Sequence, residues 1–151
     1  MRELYPDCPI IIGGIEASLR RLAHYDYWSN AVRRSILVDS QADLLIYGMG
    51  ERQVLEIAAE LHQGVAVSNI QDVRGTCFHV PNFDYIWDYE KLPSYDEVKQ
   101  DKRVFAEAFK LEYLEQDAVR GRRLAQQNGD WCIVQNPPAL PLTEAEMDEV
   151  Y

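Results

Sequence analysis

Hydrophobic and polar positions along this chain change period several times, and the changes mark its elements. Ile10, Ile11 and Ile12 form a continuous β-branched run suited to a strand buried on both faces, and Gly13-Gly14 stop it. Ile15, Leu19 and Leu22 then recur at helical spacing. A strand that turns tightly through glycine into a helix is how an open α/β sheet builds a ligand crevice, because the bare backbone admits close approach. Asp43 to Tyr47, DLLIY, repeats the strand pattern and GMGE repeats the turn, so Ile10–Ile12 and Leu44–Tyr47 are expected to lie parallel and adjacent. Between them, Tyr25 to Gln41 mixes aromatic, basic and aliphatic residues and predicts a packed loop followed by a short helix.

Glu51 opens the clearest helix, with Val54, Leu55, Ala58, Ala59 and Leu61 on one face and Gly64 as its stop. From Ile70 to Val80 the pattern is short and β-like, turning at Arg74-Gly75 and ending at Pro81. Asn82 to Pro93 is aromatic and acidic, and its Phe83, Tyr85, Ile86, Trp87 and Tyr89 predict an ordered connector. Ser94 and Glu97 form a capping box for a long helix whose propensity persists toward Gln127, where Asn128-Gly129 end it. Trp131 to Gln135 reads as one more strand. After Pro137, Pro138 and Pro141, Thr143 and Glu146 cap a helix that runs into Tyr151. A capped helix reaching the last residue, and only two strong parallel-type strands, together predict a fragment of something larger.

At 151 residues, 47% hydrophobic and 26% charged, the chain can bury a core. A formal charge of −10 makes broad nucleic-acid binding an unlikely role, since phosphate affinity comes from basic surface. Cys8, Cys77 and Cys132 are odd in number, far apart and without zinc-ligand spacing; they read as reduced thiols of a cytoplasmic protein. No apolar run has the roughly 20 residues of a membrane span, and the acidic-containing opening residues lack a signal-peptide pattern.

The candidate site residues divide into two groups. Gly13, Gly14, Gly48, Gly50 and Glu51 are the candidates for cofactor binding; tight turns and a first-turn carboxylate at a helix N-terminus account for the same residues without a ligand. Arg20, Arg21, Arg33 and Arg34, with His24, are the candidates for substrate binding. The arginines could instead pair with Glu16, Asp26 and Asp39, and His24 could be a packed side chain among Tyr25, Tyr27 and Trp28. No GxSxG, GxxxxGK[ST] or HExxH occurs, so no residue is nominated as catalytic and none as a metal ligand.

The run GGIEASLRRLAHYDYWSNAVRRSILVDSQADLLIYGMGE, followed by LPSYDEVKQDK and QNPPALPLTEAEMDEVY, resembles the YgiQ family of radical S-adenosylmethionine (SAM) proteins over nearly the whole chain. More loosely, the order strand-GG, helix, strand-GxGE, helix is similar to the last third of the cobalamin-binding-type Rossmann domain that precedes the radical SAM barrel. The resemblance implies an α/β fold: an incomplete Rossmann-like, doubly wound unit with parallel strands and flanking helices over residues 1–81. A mainly helical connector over 82–151 would lead toward the barrel. It implies a four-iron four-sulfur cluster and SAM in the full-length parent, and the barrel of the same parent chain as partner. The CxxxCxxC motif of that cluster is absent here, so none of these cofactors is expected in this chain, and without an Asp-x-His-x-x-Gly motif cobalamin is unsupported. The expected role is accessory, packing against or gating the barrel; the alternative is a stand-alone α/β small-ligand or protein-interaction module. Self-association through an exposed strand edge at Ile10–Ile12 is also expected.

Overall fold

The computed structural model of the protein describes residues 2–150. A six-stranded sheet organises it, built from β1 (Ile11–Ile12), β4 (Leu44–Ile46), β5 (Thr76–Val80), β6 (Tyr89–Lys91), β7 (Arg123–Asn128) and β8 (Trp131–Gln135). Their spatial order is β1-β4-β5-β8-β7-β6. β1 and β4 are parallel, with Ile11 opposite Leu44 and Ile12 opposite Leu45, as their shared pattern predicts. The next three pairings, β4 with β5, β5 with β8 and β8 with β7, are antiparallel, and β7 with β6 is parallel again. The α/β class and its Rossmann-like layering hold, with a mixed sheet in place of an all-parallel one.

Period-two alternation assigns each strand residue to one of two cores. Leu45, Cys77, Leu124 and Ile133 pack with Ala17, Leu22, Leu37 and Leu92 on one face. Leu44, Ile46, Phe78, Ala125 and Val134 pack with Ile57, Ile70 and Ile86 on the other. The first core lies under α1 (Gly14–Leu19) and α2 (Ile36–Ser40); Leu111 of α5 (Lys102–Leu114) packs against it. The second is covered by α3 (Glu51–His62), a short 3-10 turn at Val67–Asn69 and the Phe83–Ile86 connector.

Three local expectations are corrected. The loop after α1 holds a two-stranded antiparallel hairpin, β2 (His24–Asp26) with β3 (Ala31–Arg33), before the short helix α2. The capping box at Ser94 and Glu97 is formed, but it starts α4 (Tyr95–Gln100), and Asp101 then caps α5 separately. Helix does not persist toward Gln127: α5 ends at Leu114 and residues 123–128 are β7. Buried β7 side chains explain this, because Leu124, Ala125 and Gln126 each find a place in the sheet, so tertiary packing overrides helical propensity. The segment after residue 82 thus supplies three strands as well as helices, and the β5–β8 pairing joins it to the first part of the chain in one sheet. Thr143 and Glu146 cap α6 (Glu144–Val150) as expected. Tyr151, where that helix was expected to run, lies outside the described residues.

Candidate functional site

The carboxyl ends of β1 and β4 carry the two glycine turns, and the fold brings them together. Gly13, Gly14, Gly48 and Gly50 line one crevice of about 420 Å³ with Ile11, Ile46, Val54 and Leu61. Gly14 and Gly48 have φ of 86° and 71°, in the left-handed region that favours glycine. Gly50 is required by contact, since a Cβ there would come 2.9 Å from Cγ2 of Ile46. Backbone conformation and close contact thus account for Gly14, Gly48 and Gly50 whether or not the crevice is filled, whereas Gly13 is extended and a Cβ there would meet nothing closer than 3.4 Å. Its lining is entirely glycine and aliphatic. Glu51 follows at the first turn of α3 but does not line the crevice; its Oε2 is buried without a hydrogen-bond partner among the described residues.

The arginines and His24 do not join this crevice. Arg20 pairs with Glu16 at 3.0 Å, one turn back along the chain. Arg33 bonds the Ser29 hydroxyl at 3.2 Å and lies 3.8 Å from Asp26, while Arg34 holds Asp39 at 2.5 Å. His24 sits at the base of the hairpin, where its Nδ1 lies 3.1 Å from the Leu22 carbonyl and burial holds its pKa below the ordinary value. Arg21 is different: it is buried and donates to Gln135 Oε1 at 2.7 Å, to the Ser18 carbonyl and to Glu112 at 2.5 Å. Its guanidinium also lies over the Tyr47 ring, 5.0 Å from the centroid.

Around Arg21 lies a polar seam that the sequence did not announce. The Tyr47 hydroxyl donates to the Asn136 carbonyl at 2.6 Å, and burial raises its pKa. Asn136 Nδ2 reaches the carbonyls of Gln71 and Val73 and the Thr76 hydroxyl, while its Oδ1 accepts from Arg123. Burial raises the Glu112 carboxyl above its ordinary pKa, with Arg21 opposing the shift. Nothing in the linear pattern pairs Arg21 with residues 91 and 114 positions away; only the sheet order brings them together.

Two apolar patterns expected to face inward remain open. Ile15 and Leu19 of α1 are 80% and 68% exposed. On α3 the buried pair is Gln53 and Ile57, whereas Val54 and Leu55 are 56% and 72% exposed. Met49 in the second glycine turn is exposed as well. So are Leu114 and Val119, the latter beside Ala118, whose carbonyl is held by Arg74 next to Gly75 at the start of β5. Of these, Ile15 and Met49 lie within the two glycine turns or directly after them.

The cysteines are not placed to hold an iron-sulfur cluster. Cys8 is exposed, while Cys77 and Cys132 are buried on β5 and β8, and burial pushes the Cys77 thiol up to about 12, against the thiolate an iron needs. Among the described residues no group of His, Cys, Asp and Glu could hold a metal ion. The aliphatic crevice likewise lacks side chains to meet the amino and carboxylate groups of SAM. No helix among the described residues is long and apolar enough to cross a membrane.

An α/β domain with a bare, glycine-turned sheet end is the class these features define. Residues 1–151 match the radical SAM N-terminal family, and the chain belongs to it. A UPF0313 protein of Clostridium botulinum (strain ATCC 19397 / Type A) is 52% identical over 151 residues, all of this chain and 23% of that protein. A UPF0313 protein of Clostridium perfringens (strain ATCC 13124) is 53% identical over 152 residues, again all of this chain and 23% of the relative. The chain therefore spans about a quarter of the length of these curated relatives. No solved structure matches it.

Proposed function

We propose that this chain is the accessory N-terminal domain of a radical SAM enzyme and packs against the catalytic barrel of the same polypeptide through the glycine-bearing end of its sheet. The observation that carries the proposal is the exposure of apolar side chains on the two elements that leave the glycine turns: Ile15 and Leu19 of α1, Met49 just before α3 and Leu55 within it. Soluble monomers seldom leave such a group open, and each aliphatic side chain covered would contribute about 1.5–3 kcal/mol. The buried Glu51 oxygen without a donor sits at the same end and fits a partner that brings one. In this reading the iron-sulfur cluster and SAM belong to the rest of the parent, and the present residues supply shape and burial rather than chemistry.

Hydroxyl-radical footprinting of the full-length botulinum relative and of the 151-residue chain tests the proposal. Oxidation at the positions matching Met49 and Leu19 should fall several-fold in the full-length protein. Equal oxidation in the two would sink the packing role and leave the stand-alone α/β module.

A further inference from the structure

We infer that the crevice beside β1 is a groove for one further β-strand, supplied by the part of the longer polypeptide outside these 151 residues. The inference rests on the reading that the chain is a domain of such a polypeptide. The crevice extends from the glycine turns to the edge strand β1, and the inference concerns its β1 side.

Backbone direction comes first. β1 is the terminal strand of the sheet. The Ile10 carbonyl accepts from the amides of Asp43 and Leu44, and residues of a parallel ladder alternate between neighbours, so the Ile11 N–H and C=O face away from β4. Side chains point the same way. Ile11 is in register with Leu44, yet Ile11 is 37% exposed where Leu44 is fully buried. Beside it, Val54 and Ala58 of α3 face the groove, and Leu61 lines its margin while also packing against the second core. β1 is the parallel partner of β4, and at Ile11 its side chain is left partly exposed where that of Leu44 is covered.

The occupant follows from the lining. Every side chain around the groove is aliphatic, so a polar small molecule meets no side-chain donor or acceptor there. A β-strand answers both demands at once, with backbone groups for Ile11 and apolar side chains for the groove. The other edge of the sheet is finished differently: β6 carries Glu90 and Lys91, the charged residues that keep a natural edge unpaired, whereas β1 carries only isoleucine. More than three quarters of the related polypeptides lies outside the matched region, which is ample source for one strand.

Hydrogen exchange of the full-length botulinum relative, resolved to single amides, tests the inference at the position matching Ile11. The expected result is an Ile11 amide exchanging within about tenfold of the Ile12 amide, in a monomer and without added ligand. A Val54→Lys change in the groove should speed Ile11 exchange at least about tenfold while leaving the Leu44–Ile46 amides slow. An Ile11 amide as fast as exposed loop amides overturns the inference. So does protection that appears only on dimerisation, which would make the occupant a second copy, or only on adding SAM, which would make it a ligand. If Met49 and Leu19 are shielded in the same protein while Ile11 exchanges freely, the strand falls and the packing role stands.

Discussion

The two edges of one sheet teach different lessons. At β6 the strand is charged, Glu90 pairs with Arg122 at 2.9 Å, and on the neighbouring strand β7 Arg123 and Gln126 find polar partners inside the domain. At β1 the strand is purely aliphatic, its turns are glycine, and the helix beside it shows Val54 and Leu55 to solvent. The β1 side packs through Ile10 and Ile12 against one core, and β6 packs through Tyr89 against the other. Charge and ion pairing close the backbone edge at β6, even though Tyr85 and Trp87 before it are exposed. The β1 edge has no such charge, and its strand is left open beside an exposed aliphatic stripe.

The largest effect is expected where the two halves of the sheet are joined. Arg21 follows α1 in the glycine half and reaches β8 and α5 through Gln135 and Glu112, with both charged side chains largely buried. Arg21→Ala should lower stability by about 3–5 kcal/mol in urea denaturation, because it strands a buried carboxylate. Glu112 already has a raised folded pKa, so its charged form is penalised; protonation favours the fold, and the loss in Arg21→Ala should shrink as pH falls from 7 toward 4.5. The double change Arg21→Met with Glu112→Leu should recover most of the stability. If Arg21→Ala costs less than about 1 kcal/mol, the seam does not hold the halves together.

Next in size is Asn136, whose amide and backbone carbonyl serve the strand β5, the Gln71–Val73 segment, Arg123 and the Tyr47 hydroxyl. Asn136→Ala should cost about 1–3 kcal/mol by thermal or urea unfolding, since the Gln71 carbonyl and the Thr76 hydroxyl lose the Asn136 donor and Arg123 loses its amide acceptor. At the open edge the same kind of measurement should show almost nothing. Ile11→Lys in the 151-residue chain is expected to stay within about 0.5 kcal/mol, because Ile11 packs against little there. Its effect should appear in sedimentation, where a charged β1 suppresses self-association. A stability loss equal to that of Asn136→Ala would mean that β1 is already covered and the contrast between the edges is false.

How much of this was legible in the sequence depends on the range of the interaction that fixes each residue. Ile10–Ile12 and Leu44–Tyr47 announced a parallel pair because strand and turn signals are local. Ser94 with Glu97 and Thr143 with Glu146 announced their caps for the same reason. Residues 123–128 read as helix because Leu, Ala and Gln carry helical propensity, and only β6 and β8 on either side make them a strand. The glycine turns of the site were visible, and the apolar face of α3 in part: Val54, Ala58 and Leu61 line the groove, but the residues that α3 buries are Gln53 and Ile57. That the face opens on a groove was not visible, because amphipathic spacing reports that a stripe exists and not which neighbour is present to cover it. Arg21 stood out only as one of four arginines; its burial depends on Gln135 and Glu112, too far along the chain to be paired by pattern.

The smallest expected effect lies on α6, which has no buried residue and is fastened to α3 by one side chain. Arg52 grips both oxygens of Glu146, and Glu146 also accepts from the Thr143 hydroxyl and amide. The Arg52 bond first, and Thr143 after it, hold the Glu146 carboxyl down from 4.5 to about 2. A depressed folded pKa means that the fastening is fully present above the unfolded value near 4.5 and disappears as pH falls through about 2. Because the pair is exposed, its loss should release α6 without unfolding the sheet, and salt should weaken it. Carbon chemical shifts of the Glu146 carboxyl and of the α6 backbone, followed from pH 6 to 1.5, should move together with a midpoint near 2, and Arg52→Gln should carry that midpoint back toward the ordinary value. A carboxyl that titrates at its ordinary value in the unmodified chain, with α6 unchanged throughout, would show that the helix is held by something other than this pair.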